Sequence, residues 1–566
     1  MSLHLPLSLA LFAALAGPSL ALAQPMPACA GGHAMGSAPV ETDALPPLFD
    51  TLGNWHRDIA TLVPDAQRYF DQGLRLVYAF NHGEAIRDFE AAAKLDPACG
   101  ICYWGAALAN GPNINFGMET AAGKAAWEAL QQALAHRDGA TPRDRALIEA
   151  LAQRYRPEVP ESRADLDLAW ANAMREVVQR FPDDLDAATL FAESLLDLNP
   201  WGQWDRFGQA KDPTILEAIQ VLESVLKRAP EHPGANHYYI HSVEASAHPE
   251  RALGSAERLP GLMPGAGHLV HMPSHVYIRT GRYPEAAEAN HRAIAADQAF
   301  FTRASKDSAY ASDLAPHNLD FLRAVAVFQG DSATALEAAR KSAAEIPPEM
   351  LAALPGAMSD MEVVTAAPLY MEVAFGRWQE ILAEPGPPAA WPFTRASWHF
   401  ARGIALAAGG KHREAARELK ALEKIAAAVP EGHTTGWFYT TRELLAVARF
   451  ELEGELAARA GRFDEAIAAF TEAVDLQDAL QYNEPPPWYR AIRTALGKAL
   501  LDAGRPADAE AVYREDLRVN PENGWSLFGL AQALRAQGQE AEAAATRARF
   551  EKAWARADVL LSASAF

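Results

Sequence analysis

A period of 34 residues runs through this chain and limits what it can fold into. In "RAIRTALGKALLDAGRPADAEAVYREDLRVNPEN", which starts at Arg490, Gly497 stands at position 8, Ala509 at 20, Tyr513 at 24 and Pro521 at 32. The next unit starts at Gly524 and puts Ala531 at 8 and Ala543 at 20. Near the front, "AQRYFDQGLRLVYAFNHGEAIRDFEAAAKLDPAC" repeats the pattern with Gly73, Ala85, Phe89 and Pro97. Two more units fit from about Ser397 and from Val447. Alternating strand patterns are scarce, while apolar residues return at helical spacing. A unit of this length is one pair of helices that buries its apolar face only by stacking on its neighbours. The expectation is an all-α fold: a right-handed solenoid of antiparallel helix pairs.

The spacing resembles the tetratricopeptide repeat (TPR), with small residues where two helices touch and a proline closing each pair. The stretches "FDQGLRLVYAFNH", "GANHYYIHSVEAS" and "GHLVHMPSHVYIRTGRY" are also similar to a group of exported bacterial TPR proteins. The resemblance covers about two thirds of the chain beyond the leader. It implies an architecture and no chemistry, because function resides in sites carried by a fold. It also implies that the first helix of each pair lines a concave groove, with positions 2, 5, 6, 9, 12 and 13 meeting ligand.

That register gives meaning to a cluster of histidines. Ala218, Ala252 and Ala286 lie 34 residues apart at position 20, and Pro230 and Pro264 both occupy position 32. Units therefore begin at Pro233 and Gly267. His237 and His241 fall at positions 5 and 9 of one unit, and His271 and His275 at the same positions of the next. His268 takes position 2, and Glu244 takes position 12 of the earlier unit. At 3.6 residues per turn these positions share one helix face, and neighbouring helices pack about 10 Å apart. His317 opens what reads as the following groove helix, in slipped register. Histidines at i and i+4 can grip one ion from a single turn, and imidazole suits Zn, Cu, Ni or Fe. The expected ligand set is His237, His241, Glu244, His268, His271, His275 and His317, holding a transition metal, Cu or Zn before Fe. Arg279, at position 13, is expected to face the groove and meet an anion. Met272 offers a weaker hint of a soft ligand, Glu193 and Asp197 are weaker carboxylate candidates, and Tyr277 reads as a core residue. The bland alternative is that the histidines only hydrogen-bond a peptide or one another.

Composition narrows the setting. A net charge of −21 argues against nucleic acid and anionic membrane as partners. Residues 1–23 read as a signal peptide, with an apolar stretch, Gly17-Pro18 and Ala21-x-Ala23, although no Lys or Arg precedes them. The expected location is thus periplasmic or secreted, with no integral membrane segment after signal removal. Of three cysteines, Cys99 and Cys102 are close enough in sequence for a local disulfide in an oxidising compartment. The expected organisation is a signal peptide (1–23), an irregular arm (24–60) and an N-terminal solenoid (61–345) with a histidine-rich groove at 233–300. A proline-rich connection with helices (346–395) and a C-terminal solenoid (396–566) follow. "LQYNEPPPWY" (480–489) inserts about nine residues before the last two units.

Three functions stay open at this level. One is a periplasmic metal-binding protein whose remaining solenoid is an interaction surface for a protein or peptide. Another is a hydrolytic or oxidative metalloenzyme acting on a small molecule, with an open metal position and Glu244 as candidate base. The third is a metal-free peptide-binding scaffold. A pocket enclosed by several repeats would favour the enzyme, and an open groove would favour binding.

Overall fold

The computed structural model describes residues 45–306, 308–346, 361–435 and 439–566. The signal segment, the first part of the arm and most of "AEIPPEMLAALPG" lie outside the described residues. Among the described residues the fold is all helical, with only three isolated β-bridges. Successive antiparallel pairs stack from Pro64–Tyr78 with His82–Leu95 to Gly524–Ala536 with Glu540–Ala553. A pair also occupies the proline-rich connection, Glu362–Ala374 with Trp378–Ala383. No described helix is long and apolar enough to cross a membrane.

Packing explains the periodic residues. A methyl group on Gly73 would come within 2.9 Å of the Phe89 ring, and one on Gly105, in the next pair, within 2.3 Å of it. Tyr513 is wedged in the same way between Gly497 and Gly529. The aromatic at position 24 is thus the pin between two first helices, and glycine at position 8 makes room for it.

The turns inside the pairs follow a second rule. Gly281, Gly330, Gly376, Gly410, Gly461, Gly504 and Gly538 all have φ between +67° and +74°. Each lies two residues before the second helix of its pair. Glycine enters this left-handed region without steric cost. The first pair breaks the rule: the equivalent residue is Phe80, at φ +53°.

Both ends of the chain return to its middle. Tyr283 Oη donates to the Pro521 carbonyl at 2.8 Å, and Trp525 Nε1 to the Val327 carbonyl at 2.8 Å. From the other end, Phe49 stacks near Phe300 with ring centroids 4.7 Å apart. Arg57 reaches Asp144 (2.8 Å), Asp184 (2.7 Å) and Asp186 (3.3 Å) with its guanidinium almost fully buried. The first helix, Pro64–Tyr78, lies against Pro233–Val243. The histidine units are therefore covered from both ends of the chain.

Candidate metal centre

His237 and His241 come from the helix Pro233–Val243. The next first helix is split at Met272, because Pro273 cannot supply the amide a continuous helix needs. His268 and His271 sit before the break and His275 after it. His317 enters from Ala315–Phe328. The structure brings these six residues into two groups of three: His237, His241 and His268, then His271, His275 and His317. Within each group one nitrogen per ring lies within 4.8 Å of the others. The groups touch, with the His268 and His271 rings 5.9 Å apart and the His241 and His275 rings 5.6 Å apart.

The hydrogen bonds fix which nitrogen is free. His237 Nδ1 is 2.7 Å from the Tyr78 carbonyl, which can only accept, so Nδ1 carries the proton and Nε2 the lone pair. His271 Nδ1 donates to Asn290 Oδ1 at 2.7 Å, and Asn290 is held in that orientation by its own amide on the Ala286 carbonyl. His241 Nδ1 donates to Glu244 Oε1 at 2.7 Å, and His275 Nδ1 to Glu244 Oε2. Four rings are thus anchored through Nδ1 with Nε2 turned inward, the arrangement by which outer partners orient imidazole ligands. His237 Nε2 lies 3.1 Å from His268 Nε2, and His271 Nε2 lies 2.8 Å from His275 Nε2. Two nitrogens on one tetrahedral ion, each about 2.0–2.1 Å from it, are about 3.3 Å apart. His241 Nε2 is buried and has no hydrogen-bond partner. Inward lone pairs at ligand spacing and an orphaned buried nitrogen fit a transition metal.

Glu244 stands behind the rings. The sequence reading makes it a ligand or a base. Both its oxygens instead accept from imidazole Nδ1 atoms, one in each group, which gives it a positioning place. It also forms a third cluster with His275 and Glu484. Electrostatics follow the same contacts. Burial, then neighbouring imidazoles, hold His237, His268 and His271 well below 6.5. Burial lowers His241, and brings His317 down to about 4. Burial also opposes charge on His275, but the Glu244 and Glu484 carboxylates outweigh it and raise His275 to about 9. Burial works against ionised Glu244, yet the two imidazoles bring it down to about 2.

Of the two alternatives, an open groove and an enclosed pocket, the described residues give enclosure around the histidines. His237, His241, His268, His271 and His275 are 0–5% exposed. Phe80 packs on His237 (4.6 Å between centroids), His241 and His268. Trp201 meets His241 edge-on at 5.5 Å. The insertion before the last two units brings in Glu484, whose Oε2 is 3.4 Å from His275 Nδ1, and Tyr482, whose hydroxyl donates to Glu484. Phe80 and Trp201 are two of three described non-glycine residues with positive φ. Such backbone costs about 1–3 kcal/mol, and an observed outlier of this kind points to function.

Other candidates are placed as follows. Arg279 Nε is 4.0 Å from Glu484 Oε1, and its guanidinium lies over the Tyr482 ring. Glu193 and Asp197 are not at the histidines: Asp197 pairs with buried Arg154 at 2.8 Å, and Glu193 lies in the same charge cluster. Met272 packs into the apolar core, as does Tyr277. Cys99 and Cys102 are disulfide-bonded at the start of the Gly100–Ala109 helix. Beyond the insertion lies a cavity of about 1030 Å³, lined in part by Trp201, Arg279, Tyr482, Glu484 and Trp488.

The TPR sequence model matches residues 494–558. Helix pairs of the same design stack through the described residues, so the fold is a TPR-type helical solenoid. Among solved structures, human IFIT1 bound to m7Gppp-AAAA is 12% identical, with 80% of this chain and 90% of that chain covered and a TM-score of 0.33. Yeast Tom70 is 12% identical over 85% and 90% of the two chains, TM-score 0.32. The P58(IPK) TPR domain is 13% identical over 84% and 99%, TM-score 0.21. These likenesses assign no ligand to the present chain. No curated protein sequence matches it.

Proposed function

We propose that this TPR-type solenoid binds transition-metal ions, Cu or Zn, at the two histidine groups, with the outer faces of its repeats serving as an interaction scaffold. The observation that carries this reading is the convergence of imidazole Nε2 atoms whose Nδ1 atoms are committed to Tyr78, Glu244 and Asn290. Without an ion, the 2.8 Å contact between His271 and His275 sets two lone pairs face to face unless His275 holds a second proton. An ion in each group relieves that conflict and takes up His241 Nε2 as well. Three imidazoles suit either metal. The leader-like residues 1–23 support an exported setting. Burial weighs against the peptide-scaffold alternative, since a peptide lying on the repeats would not reach these rings. Enclosure beside a cavity favours an enzyme as the second reading, with Glu484 rather than Glu244 as the carboxylate that belongs to both.

The test is elemental analysis of untagged protein purified from the periplasm, followed by chelation and reloading with Cu or Zn. Two ions per chain are expected. His241→Ala should lower the content to one, and His241→Ala with His275→Ala to none, while circular dichroism stays helical. Unchanged metal content in the double variant, or no metal uptake by the native protein, overturns the reading.

A further inference from the structure

The cavity beyond the insertion has a lining unlike the rest of the molecule. Its volume, about 1030 Å³, is at the upper end of ordinary small-molecule sites. Trp201, Trp204, Tyr482, Trp488 and Trp525 supply aromatic wall. Four arginines in the lining are matched by carboxylates. Arg323 pairs with Asp320 at 2.7 Å, Arg493 with Asp478 at 2.8 Å and Arg518 with Glu515 at 2.7 Å. Arg490 binds Glu451 through Nε at 2.7 Å. Arg279 is different. Its nearest carboxylate, Glu484, is 4.0 Å away, and its Nε is buried with no hydrogen-bond partner. A guanidinium offers a planar fork of donors that matches an acid group. At the mouth, Arg206 and Lys211 are exposed beside Phe207, which is 53% exposed. Asp205 and Glu250 stand beside them, but the whole lining holds seven Arg and Lys against five Asp and Glu, which in a protein of net charge −21 favours an anion.

Arg279 also fixes direction. It lies one helical turn after His275, and Glu484, beside it, belongs both to the cavity lining and to the carboxylate–imidazole group. We propose that the cavity binds a ring-bearing organic anion, with its acid group on Arg279 and its ring among the tryptophans. One edge of the bound molecule then lies against Glu484, next to the histidines. Binding of the anion does not depend on the metal assignment; its place as a substrate or ligand beside a metal centre rests on it.

The full chain would be titrated calorimetrically with three probes of one shape: 2-naphthoate, neutral 2-naphthamide and cationic 2-naphthylmethylamine. Each is run on chelated and on metal-loaded protein. The expected order is naphthoate first, at least tenfold tighter than the amide, with the amine weakest, in both metal states. Arg279→Gln should weaken naphthoate at least tenfold without changing metal content, and Arg279→Lys should recover part of the loss. If Arg279→Gln fails to fold, Trp204→Ala is read instead and should weaken all three probes. Equal binding of the three, no binding of naphthoate, or naphthoate binding that needs metal and ignores Arg279 overturns the proposal. The last of these outcomes would leave the metal reading standing. Naphthoate binding to a protein that takes up no metal would do the reverse.

Discussion

The helix Pro233–Val243 and the helix His412–Ala428 belong to the same kind of repeat and share almost nothing else. All eleven residues of the first are buried, among them Asn236, His237, His241 and Ser242. Of the seventeen residues in the second, only Ala415 and Leu422 are buried. His412–Ala428 behaves as a surface helix should, with one apolar stripe on its neighbours and charge facing water. Pro233–Val243 is packed on every side, and its buried side-chain polar groups are hydrogen-bonded, His241 Nε2 excepted. The contrast separates two uses of one repeat. In the C-terminal half the unit is a building block. In the histidine half it is the floor of a site whose walls come from the first turn, Trp201 and the insertion near residue 484.

Four measurements would break or sharpen this contrast. The largest effect is expected from Arg57→Met. It leaves Asp144, Asp184 and Asp186 buried without their cation, a loss of about 3–5 kcal/mol. Chemical denaturation should show the histidine half unfolding earlier; the same loss at Arg514, an exposed pair partner in the C-terminal half, would erase the distinction. Next is metal removal. An ion held at a hundred times its Kd stabilises by about 2.7 kcal/mol, so chelation should lower the Tm of native protein and leave His241→Ala/His275→Ala unmoved. A Tm indifferent to chelator in both would count against a metal-built floor.

A pH effect is expected in the other half. Glu362 is buried, and although its Oε2 accepts from the Thr394 amide at 2.9 Å, burial raises it to about 7. The folded state therefore binds its proton more tightly than the unfolded chain, whose Glu titrates near 4.3. Stability from this group is complete below about pH 4 and is lost as pH rises through 7. Glu362→Gln should flatten stability between pH 5 and 7.5; a parallel slope in the variant would remove Glu362 as its source. The smallest effect is at the first turn. Phe80→Ala and Phe80→Gly both forfeit the ring, but alanine keeps the strained φ. The glycine variant should be the more stable by about 1 kcal/mol, and equal denaturation midpoints would show that the strain is not real.

The repeat was legible in the sequence because position 8, position 24 and the turn glycine each meet a local packing demand. Register also placed five histidines on one face with His317 on the next first helix, but their division into two groups of three rather than one shared site was not visible in it. The enclosure was not legible either. Arg57, Glu484 and Tyr482 reach the middle of the chain from irregular segments far away in sequence, and a period says nothing of how tightly a solenoid coils. Glu244 was singled out, yet its hydrogen bonds to rings of two successive units were not visible from helical phase alone. Phe80 did leave a trace: a bulky residue stands where seven other turns carry glycine.

The position of Glu484 bears on how the protein matures. Tyr78, which anchors the first imidazole, and Glu484, which closes the last, are separated by most of the chain. A polypeptide emerging from the ribosome acquires all six histidines by residue 317, long before the segment that covers them exists. Domains fold as they are synthesised, N-terminal parts first. Until the insertion arrives, the nascent protein carries an imidazole cluster with its C-terminal wall missing. That interval, with the imidazoles open on one side, ends only when the late repeats dock.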